Sequence, residues 1–558
     1  MANTILGLFK TRSGEDALAD VSSLALWLEK QPVNDYLGTQ EAMVRLLEDM
    51  AARQPKVTSN RVQAVLELDR VSTPVQARLL KQYLQPSLSD AVRQRLWHAS
   101  DDLARWFAYT YEQHFEALHE FFRSQKARGL LPGVAARMFY YRGQQAKNLL
   151  FRYERWMPGR WKGLHAAYAT TRDRSLARVR FALAPEDPAA EHCTAEHEYL
   201  QILLMQRVNT GNLGAQQIEM AACWLRSWVS GLTLAEPPLE GAGLWLDLGL
   251  GDGLLAKKPQ TAAGQLLYLD IAPLQKEIGD GMVELSVQLQ DAGSPAARAV
   301  VKERLTLLQR LEQLWRPKPR PTERRGVRVQ TDRPVHCAAG LVEIAAAMHS
   351  GDATNAEFYR RFRRHDPVEI AGGRERPAFG SADPGAIDFD DEDAKGWRMH
   401  DSSESGCRLV SASREAAQQK LGSLLGIQEQ GDARWVIGVV RRLKKFSGGQ
   451  TELGVEFIAR NAMQIAPRAV ASRDTGYSVD GIDVSAEGTG FAALYLPPME
   501  SPGRAPRRSM LGPVSEYGER RRFLLSVDDN VCTIEFTTPL ERTKEWVWSG
   551  FEIVAGEQ

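Results

Sequence analysis

The sequence predicts a multidomain α+β protein: a helical N-terminal domain, a small α/β connector and a β-rich C-terminal half. Three observations carry this expectation. The 558 residues exceed what one hydrophobic core commonly organises. Apolar residues recur at helical spacing up to about residue 235, and short runs of branched and aromatic residues then replace them. Between the textures stands Arg316-Pro317-Lys318-Pro319-Arg320-Pro321, a stiff, basic, extended linker. The expected limits are 1–236 for the helical domain and 237–320 for the connector and linker. A β domain over 321–470 and a β-rich extension over 471–558 complete the chain.

The hydrophobic fraction of 43% and charged fraction of 25% are those of a globular chain rather than a disordered one. Lys plus Arg, 70, equals Asp plus Glu, 70, which excludes a global field that would gather a nucleic acid polymer or an anionic membrane. Any anion site must therefore be local. No apolar stretch approaches the roughly 20 residues of a membrane span. Met1 to Arg12 lacks a signal peptide's long apolar region and cleavage site, so a cytoplasmic protein is expected. Cys193, Cys223, Cys337, Cys407 and Cys532 are scattered and odd in number, which points to buried, reduced thiols.

In the helical half, Ser87 with Asp90 three residues on forms a capping signature. Val92, Leu96, Leu103 and Phe107 follow at helical spacing, with Arg93, Arg95, Asp101 and Arg105 between them. Similar patterns surround Leu24 to Leu28, Met43 to Leu47 and Leu79 to Leu84, punctuated by Pro32, Pro55, Pro74 and Pro86. After Pro237-Pro238, Leu244 to Leu250 and Leu266 to Ile271 read as strands, and Pro295 to Trp315 as a helix. Beyond the linker, Trp435 to Val440 and Leu453 to Ile458 form an expected hairpin around Ser447-Gly448-Gly449. Further strands are expected at Phe491 to Leu496, Phe523 to Val527, Val531 to Phe536 and Trp546 to Val554. Asp528, Asp529 and Asn530 supply a turn. A Gly-, Pro- and Asp-rich stretch ending Asp388-Phe389-Asp390-Asp391-Glu392-Asp393 reads as part of an acidic insertion near 345–395.

Two motifs carry the functional expectation. Glu323-Arg324-Arg325-Gly326-Val327-Arg328-Val329 leads into a strand-like segment, Val335 to Ile344. Later comes Asp401-Ser402-Ser403-Glu404-Ser405-Gly406, followed by Cys407-Arg408-Leu409-Val410. R-x-x-x-R before a first strand, then D-x-S-x-x-G on a hairpin, resembles the signature of PilZ domains, and Glu323 to about Ile465 carries the likeness. The layout as a whole is similar to FimW-type surface-attachment receptors. The resemblance implies a six-stranded antiparallel β-barrel that binds cyclic di-GMP, with outputs such as motility, pili, surface attachment or biofilm.

The residue types suit that ligand. Each guanine presents O6 and N7 as paired acceptors, which a planar guanidinium meets with two hydrogen bonds. The same fork suits a phosphate, and lysine cannot reproduce it. Arg324, Arg325 and Arg328 would clamp guanine edges and phosphates. Asp401 would accept from a guanine N–H edge, Ser403 would donate a hydroxyl, and Gly406 would permit close approach or a positive φ. Arg328 and Asp401 lie 73 positions apart, a separation the acidic insertion accounts for. A second R-x-x-x-R, Arg360 to Arg364, is a rival clamp. The first is preferred because the linker precedes it and an apolar strand follows.

Asp247-Leu248-Gly249-Leu250-Gly251-Asp252-Gly253 is the chief competing pattern. With Asp270 closing the next strand, it resembles the first motif of S-adenosylmethionine methyltransferases. Too little chain follows for the remaining βα units, and Pro259 interrupts the helix such a loop must open, so a hairpin is expected instead. His192, Cys193 and His197, and the pair His114 and His119, lack zinc-ligand spacing. No metal, cofactor or catalytic residue is expected. The reading is a cyclic di-GMP receptor that signals through a protein partner of its helical half. A methyltransferase-like enzyme and a PilZ scaffold without ligand are the alternatives.

Overall fold

A computed structural model describes residues 16–32, 34–120, 125–183, 192–236, 243–317, 328–348, 396–429, 434–446, 448–460, 462–469, 490–496, 508–527 and 530–556. The chain divides into two compact units, Met1–Thr322 and Glu323–Gln558. No helix among the described residues is long and apolar enough to cross a membrane.

The first unit is built on α1 (Val21–Leu28), α2 (Tyr36–Arg53), α3 (Ser59–Tyr83), α4 (Asp90–Glu120), α5 (Gln125–Phe151) and α6 (Pro158–Asp173). A two-strand ladder of β1 (Phe181–Ala182) and β2 (His192–Cys193) leads to α7 (Ala195–Arg207) and α8 (Ala215–Trp228). Leu96, Leu103 and Phe107 are buried as their spacing requires, whereas Val92 is exposed. The helix begins at Asp90 rather than at a Ser87 cap. Arg93 donates to the carbonyls of Tyr83, Gln85 and Leu88 and holds the preceding residues in a turn. Pro74 does not break the chain as expected but sits inside α3. It removes one helical N–H, while the Ser72 and Thr73 hydroxyls bond the Asp69 carbonyl one turn earlier.

Asp69 is the polar centre of this unit. Its buried carboxylate takes Arg137 Nε and Nη2, each at 2.7 Å, and the hydroxyls of Tyr111 and Tyr141, each at 2.7 Å. The four side chains tie α3, α4 and α5 together with the buried charge paired and hydrogen-bonded.

The segment that follows has β3 (Leu234–Ala235), β4 (Gly243–Asp247) and β5 (Leu266–Asp270) in the order β3-β5-β4, then α9 (Ala272–Asp291) and α10 (Pro295–Trp315). Its Leu244, Leu267, Leu274, Leu311 and Trp315 join the same hydrophobic core as the helices. β4 and β5 are antiparallel, with Asp247 opposite Leu266, so the glycine-rich motif caps a hairpin and not a parallel βα turn. Asp247 is buried and accepts from Gly249 N at 2.9 Å and Ala263 N at 2.7 Å, closing the loop on itself. That use of its carboxylate corrects the methyltransferase alternative. Arg207 donates to the carbonyls of Leu254, Leu314 and Arg316 and fixes the end of α10.

The second unit contains a closed barrel of β6 (Val329–Ala339), β7 (Trp397–Ser403), β8 (Gly406–Ser411), β9 (Leu424–Glu429), β10 (Val436–Lys445) and β11 (Thr451–Ala459), in the order β10-β11-β8-β7-β6-β9. Every neighbouring pair is antiparallel. The expected strand Val335 to Ile344 ends at Ala339: Gly340 turns the chain with φ +86°, and α11 (Leu341–Met348) begins. A short helix, α12 (Arg414–Gln418), joins β8 to β9. The β10–β11 hairpin stands where expected, with Lys445 opposite Thr451 and Gly449 at φ +80°.

The remaining strands are β12 (Met463–Ile465), β13 (Arg468–Ala469), β14 (Ala493–Leu496), β15 (Ser509–Pro513), β16 (Arg522–Val527), β17 (Asn530–Arg542) and β18 (Trp546–Gly556). They form one antiparallel sheet in the order β12-β14-β15-β18-β17-β16-β13. This sheet shares a buried core with the barrel, in which Ile344, Ile437 and Val439 meet Leu494, Leu511 and Trp546. Trp546 Nε1 donates to the Gly422 carbonyl at 3.0 Å, and Arg441 forks onto both oxygens of Glu541 at 2.6 Å.

The five cysteines are free, but Cys223 is exposed rather than buried, because α8 turns Ile218, Ala221 and Leu225 inward. His114 is buried with Nδ1 unpartnered, and burial pulls its pKa down to about 4, aided by the Arg61 charge. Among the described residues no group of His, Cys, Asp or Glu is arranged to hold a metal ion.

Candidate ligand-binding face of the barrel

The D-x-S-x-x-G segment forms the β7–β8 hairpin. Ser403 pairs with Gly406 across a two-residue turn of Glu404 and Ser405. The Ser403 hydroxyl donates to the Gly406 carbonyl at 3.1 Å, so its first role is to hold this turn. Gly406 does not adopt a positive φ. A Cβ there would stand 2.2 Å from the Val455 carbonyl oxygen, so glycine is needed for the approach of β11.

Two bulges aim the acid. On β7, Met399 lies opposite Leu409 but Asp401 lies opposite Arg408, a register shift at His400. Cross-strand neighbours share a face, so the shift moves Asp401 from the core side to the side of Arg408. On β6 the matching shift falls at Thr331 and Asp332, where Asp332 adopts φ +55°. Thr331 donates to the Met399 carbonyl at 2.8 Å, and Asp332 accepts from Arg398 Nε and Nη2, each at 3.0 Å.

Arg328 Nη1 consequently donates to Asp401 Oδ1 at 3.0 Å. Arg408 Nε lies 2.8 Å from the other carboxylate oxygen, an ion pair whose angle is outside that of a hydrogen bond. The Asp401 side chain is only 5% exposed, whereas that of Arg328 is 53% exposed. Across the next strands Arg408 and Lys444 each stand 3.8 Å from Glu452, extending a stripe of alternating charge. Arg460 donates to the carbonyls of Ser403 at 3.3 Å and Glu404 at 2.7 Å and clips the hairpin tip. Beneath the stripe, burial and the Asp401 charge push the Cys407 thiol up to about 12, which keeps it protonated.

The structure therefore joins Arg328, Asp401, Ser403 and Gly406 on one end of the barrel. Arg324 and Arg325, and the rival pair Arg360 and Arg364, lie outside the described residues. Arg408 and Arg460 were not among the residues expected from sequence. Arg408 is a lone cation in a strand, and only the bulge at His400 brings it opposite the acid.

The family described as cyclic-di-GMP receptor FimW, N-terminal domain, matches residues 22–238, and cyclic-di-GMP receptor FimW, middle PilZ domain, matches residues 388–463. Together the two cover more than half of the chain. The protein belongs to the FimW-type PilZ family. A curated relative, the cyclic-di-GMP receptor FimW of Pseudomonas aeruginosa, is 24% identical over an alignment of 351 residues that covers 54% of this chain and 54% of the relative. The chain thus spans about half the length of the FimW relative it matches. The FimW middle-domain match contains Asp401 to Gly406 and begins downstream of both arginine motifs.

Proposed function

We propose that this chain is a cyclic di-GMP receptor without catalytic activity, acting in the cytoplasm. The nucleotide docks where Arg328 meets the β7–β8 hairpin. The observation that supports this most is the buried Asp401 carboxylate held between a half-exposed Arg328 and Arg408. Such a pair presents a pre-oriented guanidinium to an incoming guanine edge or phosphate. Arg324 and Arg325, a few residues upstream in sequence, add the remaining fork. Asp401 accepts from a guanine N–H edge, and Ser403 and Gly406 hold the hairpin against which the ligand lies. On this reading the barrel of β6 to β11 binds, the sheet that begins at β12 extends it in place of an extension starting at 471, and 237–320 pass the signal to a protein partner of 1–236. The output is motility, pili, surface attachment or biofilm.

Calorimetry on the full chain tests the proposal. Cyclic di-GMP should bind at micromolar affinity or tighter, about −8 kcal/mol or better. GTP should bind far more weakly, because it cannot offer two linked guanines, and S-adenosylmethionine should give no heat. Absence of both heat and thermal shift with ample cyclic di-GMP would leave a PilZ scaffold without a ligand.

A further inference from the structure

The C-terminal sheet has a property that its strand count conceals. β12 and β13 occupy opposite edges of the sheet, yet only Ala466 and Pro467 separate them in the chain. Two edges joined by two residues must lie side by side, so the sheet curls round and closes through one bent strand.

Counting that bent strand as the first, β14, β15, β16, β17 and β18 are the second to sixth. The pairs are then one with two, two with three, three with six, six with five, five with four, and four with one. In the first barrel β6 to β11 are the first to sixth strands, and they make the same six pairs. Finer features also repeat. β6 pairs with its second strand through Val329–Val335 and with its fourth through Val335–Ala339. The bent strand divides the same way, β12 against β14 and β13 against β16. A short helical element separates the third and fourth strands in each case, α12 in one and the turn Val514–Glu516 in the other.

The chemistry of the corresponding faces differs. In the first barrel the second and third strands carry Asp401 and Arg408 opposite one another. In the sheet that follows, those strands read Ala-Leu-Tyr-Leu and Ser-Met-Leu-Gly-Pro, with neither carboxylate nor cation. Leu494, Leu496 and Leu511 instead lie in the core shared with Ile344, Ile437 and Val439 of the first barrel and α11. A charged dinucleotide gains nothing from an apolar surface that is already buried.

We propose that residues 463–556 form a second barrel of PilZ topology, whose counterpart of the nucleotide face has become a docking surface for the first barrel. The chain then offers one nucleotide face and not two, a statement that rests on the receptor reading above. Closure is tested without ligand in the full-length double variant R468C/L524C. These residues face each other across strands one and four, and both are exposed. Oxidation should give an intramolecular cross-link, found by peptide mass mapping, with an unchanged or raised Tm. A pair that stays reduced under oxidant overturns the closed ring. Titration of cyclic di-GMP into the full chain and into D401A/R408A tests the second half. The double variant should lose about a hundredfold or more in affinity, with no second class of sites. Residual saturable binding at wild-type affinity would place a site on the second barrel and refute the docking role. A wild-type chain that binds nothing would overturn the receptor reading and the single-face statement with it, while the cross-link still decides the topology.

Discussion

Arg328→Ala separates a ligand clamp from a structural ion pair. A charge-assisted contact to the nucleotide contributes about 1.5–3 kcal/mol. Arg328 keeps Asp401 as its partner with and without ligand, and because its side chain is 53% exposed that pair is worth no more than about 1 kcal/mol. The loss on binding is then that of the ligand contact itself, about 1.5–3 kcal/mol, a weakening of roughly 10- to 150-fold at 1.4 kcal/mol per decade. Stability should barely change, because Asp401 keeps Arg408 at 2.8 Å. A cost below about 1 kcal/mol corresponds to a fall in Tm of about 2–4 °C at most. Calorimetry for affinity and a thermal melt for stability read the two quantities on one preparation. Affinity within about twofold of wild type would refute the clamp, and so would a loss accompanied by a large drop in Tm.

In contrast, Arg360→Ala and Arg364→Ala should leave affinity for cyclic di-GMP unchanged, and the reverse ranking would move the clamp into the acidic insertion. Arg137→Ala leaves the Asp69 carboxylate buried with only two tyrosine hydroxyls, and should cost about 3–5 kcal/mol in denaturant melts. His114 has a folded pKa of about 4 against 6.5 when unfolded, so the unfolded chain binds the extra proton between these values. Stability should be full above pH 6.5 and fall as pH drops towards 4, by about 2 kcal/mol at pH 5. A His114→Leu variant whose melts keep that slope would show another group at work. Hydrogen exchange with and without cyclic di-GMP should show protection at Asp401 to Gly406 and a change between residues 237 and 315. Protection confined to the barrel would disprove transmission to the helical unit.

Much of the fold could be read from periodicity. The change from helical to strand spacing, α10 and the β10–β11 hairpin all stand where the apolar pattern puts them, because each depends on local sequence. What escaped depends on contacts distant in sequence. Val335 to Ile344 is mostly apolar, but its second half serves a helix, since Ile344 packs on the C-terminal sheet as well as on the barrel. Pro74 stays inside α3 although it lacks the N–H that would meet the Arg70 carbonyl, because the helix around it is held by buried contacts distant in sequence, those of Asp69 and Leu79 among them. At the site, the hairpin and Asp401 were visible as a motif. The register shifts at His400 and Asp332 were not, and it is those shifts that decide which arginine meets the acid.

The barrel's first strand lies far from its fellows in the chain, and this bears on how fragments of the protein will behave. A fragment cut to the middle-domain match, residues 388–463, would contain β7 to β11 but not β6. β7 and β9 would then each present a row of unpaired backbone groups, the kind of open edge that recruits another chain. The same cut would strip the C-terminal sheet from Ile437 and Val439 and bare an apolar face to water. Precipitation of such a fragment would say nothing about the intact protein. Sequence similarity ends where divergence has gone far enough, whereas the cooperative unit ends where the last strand finds its partner, and in this chain the two limits do not coincide.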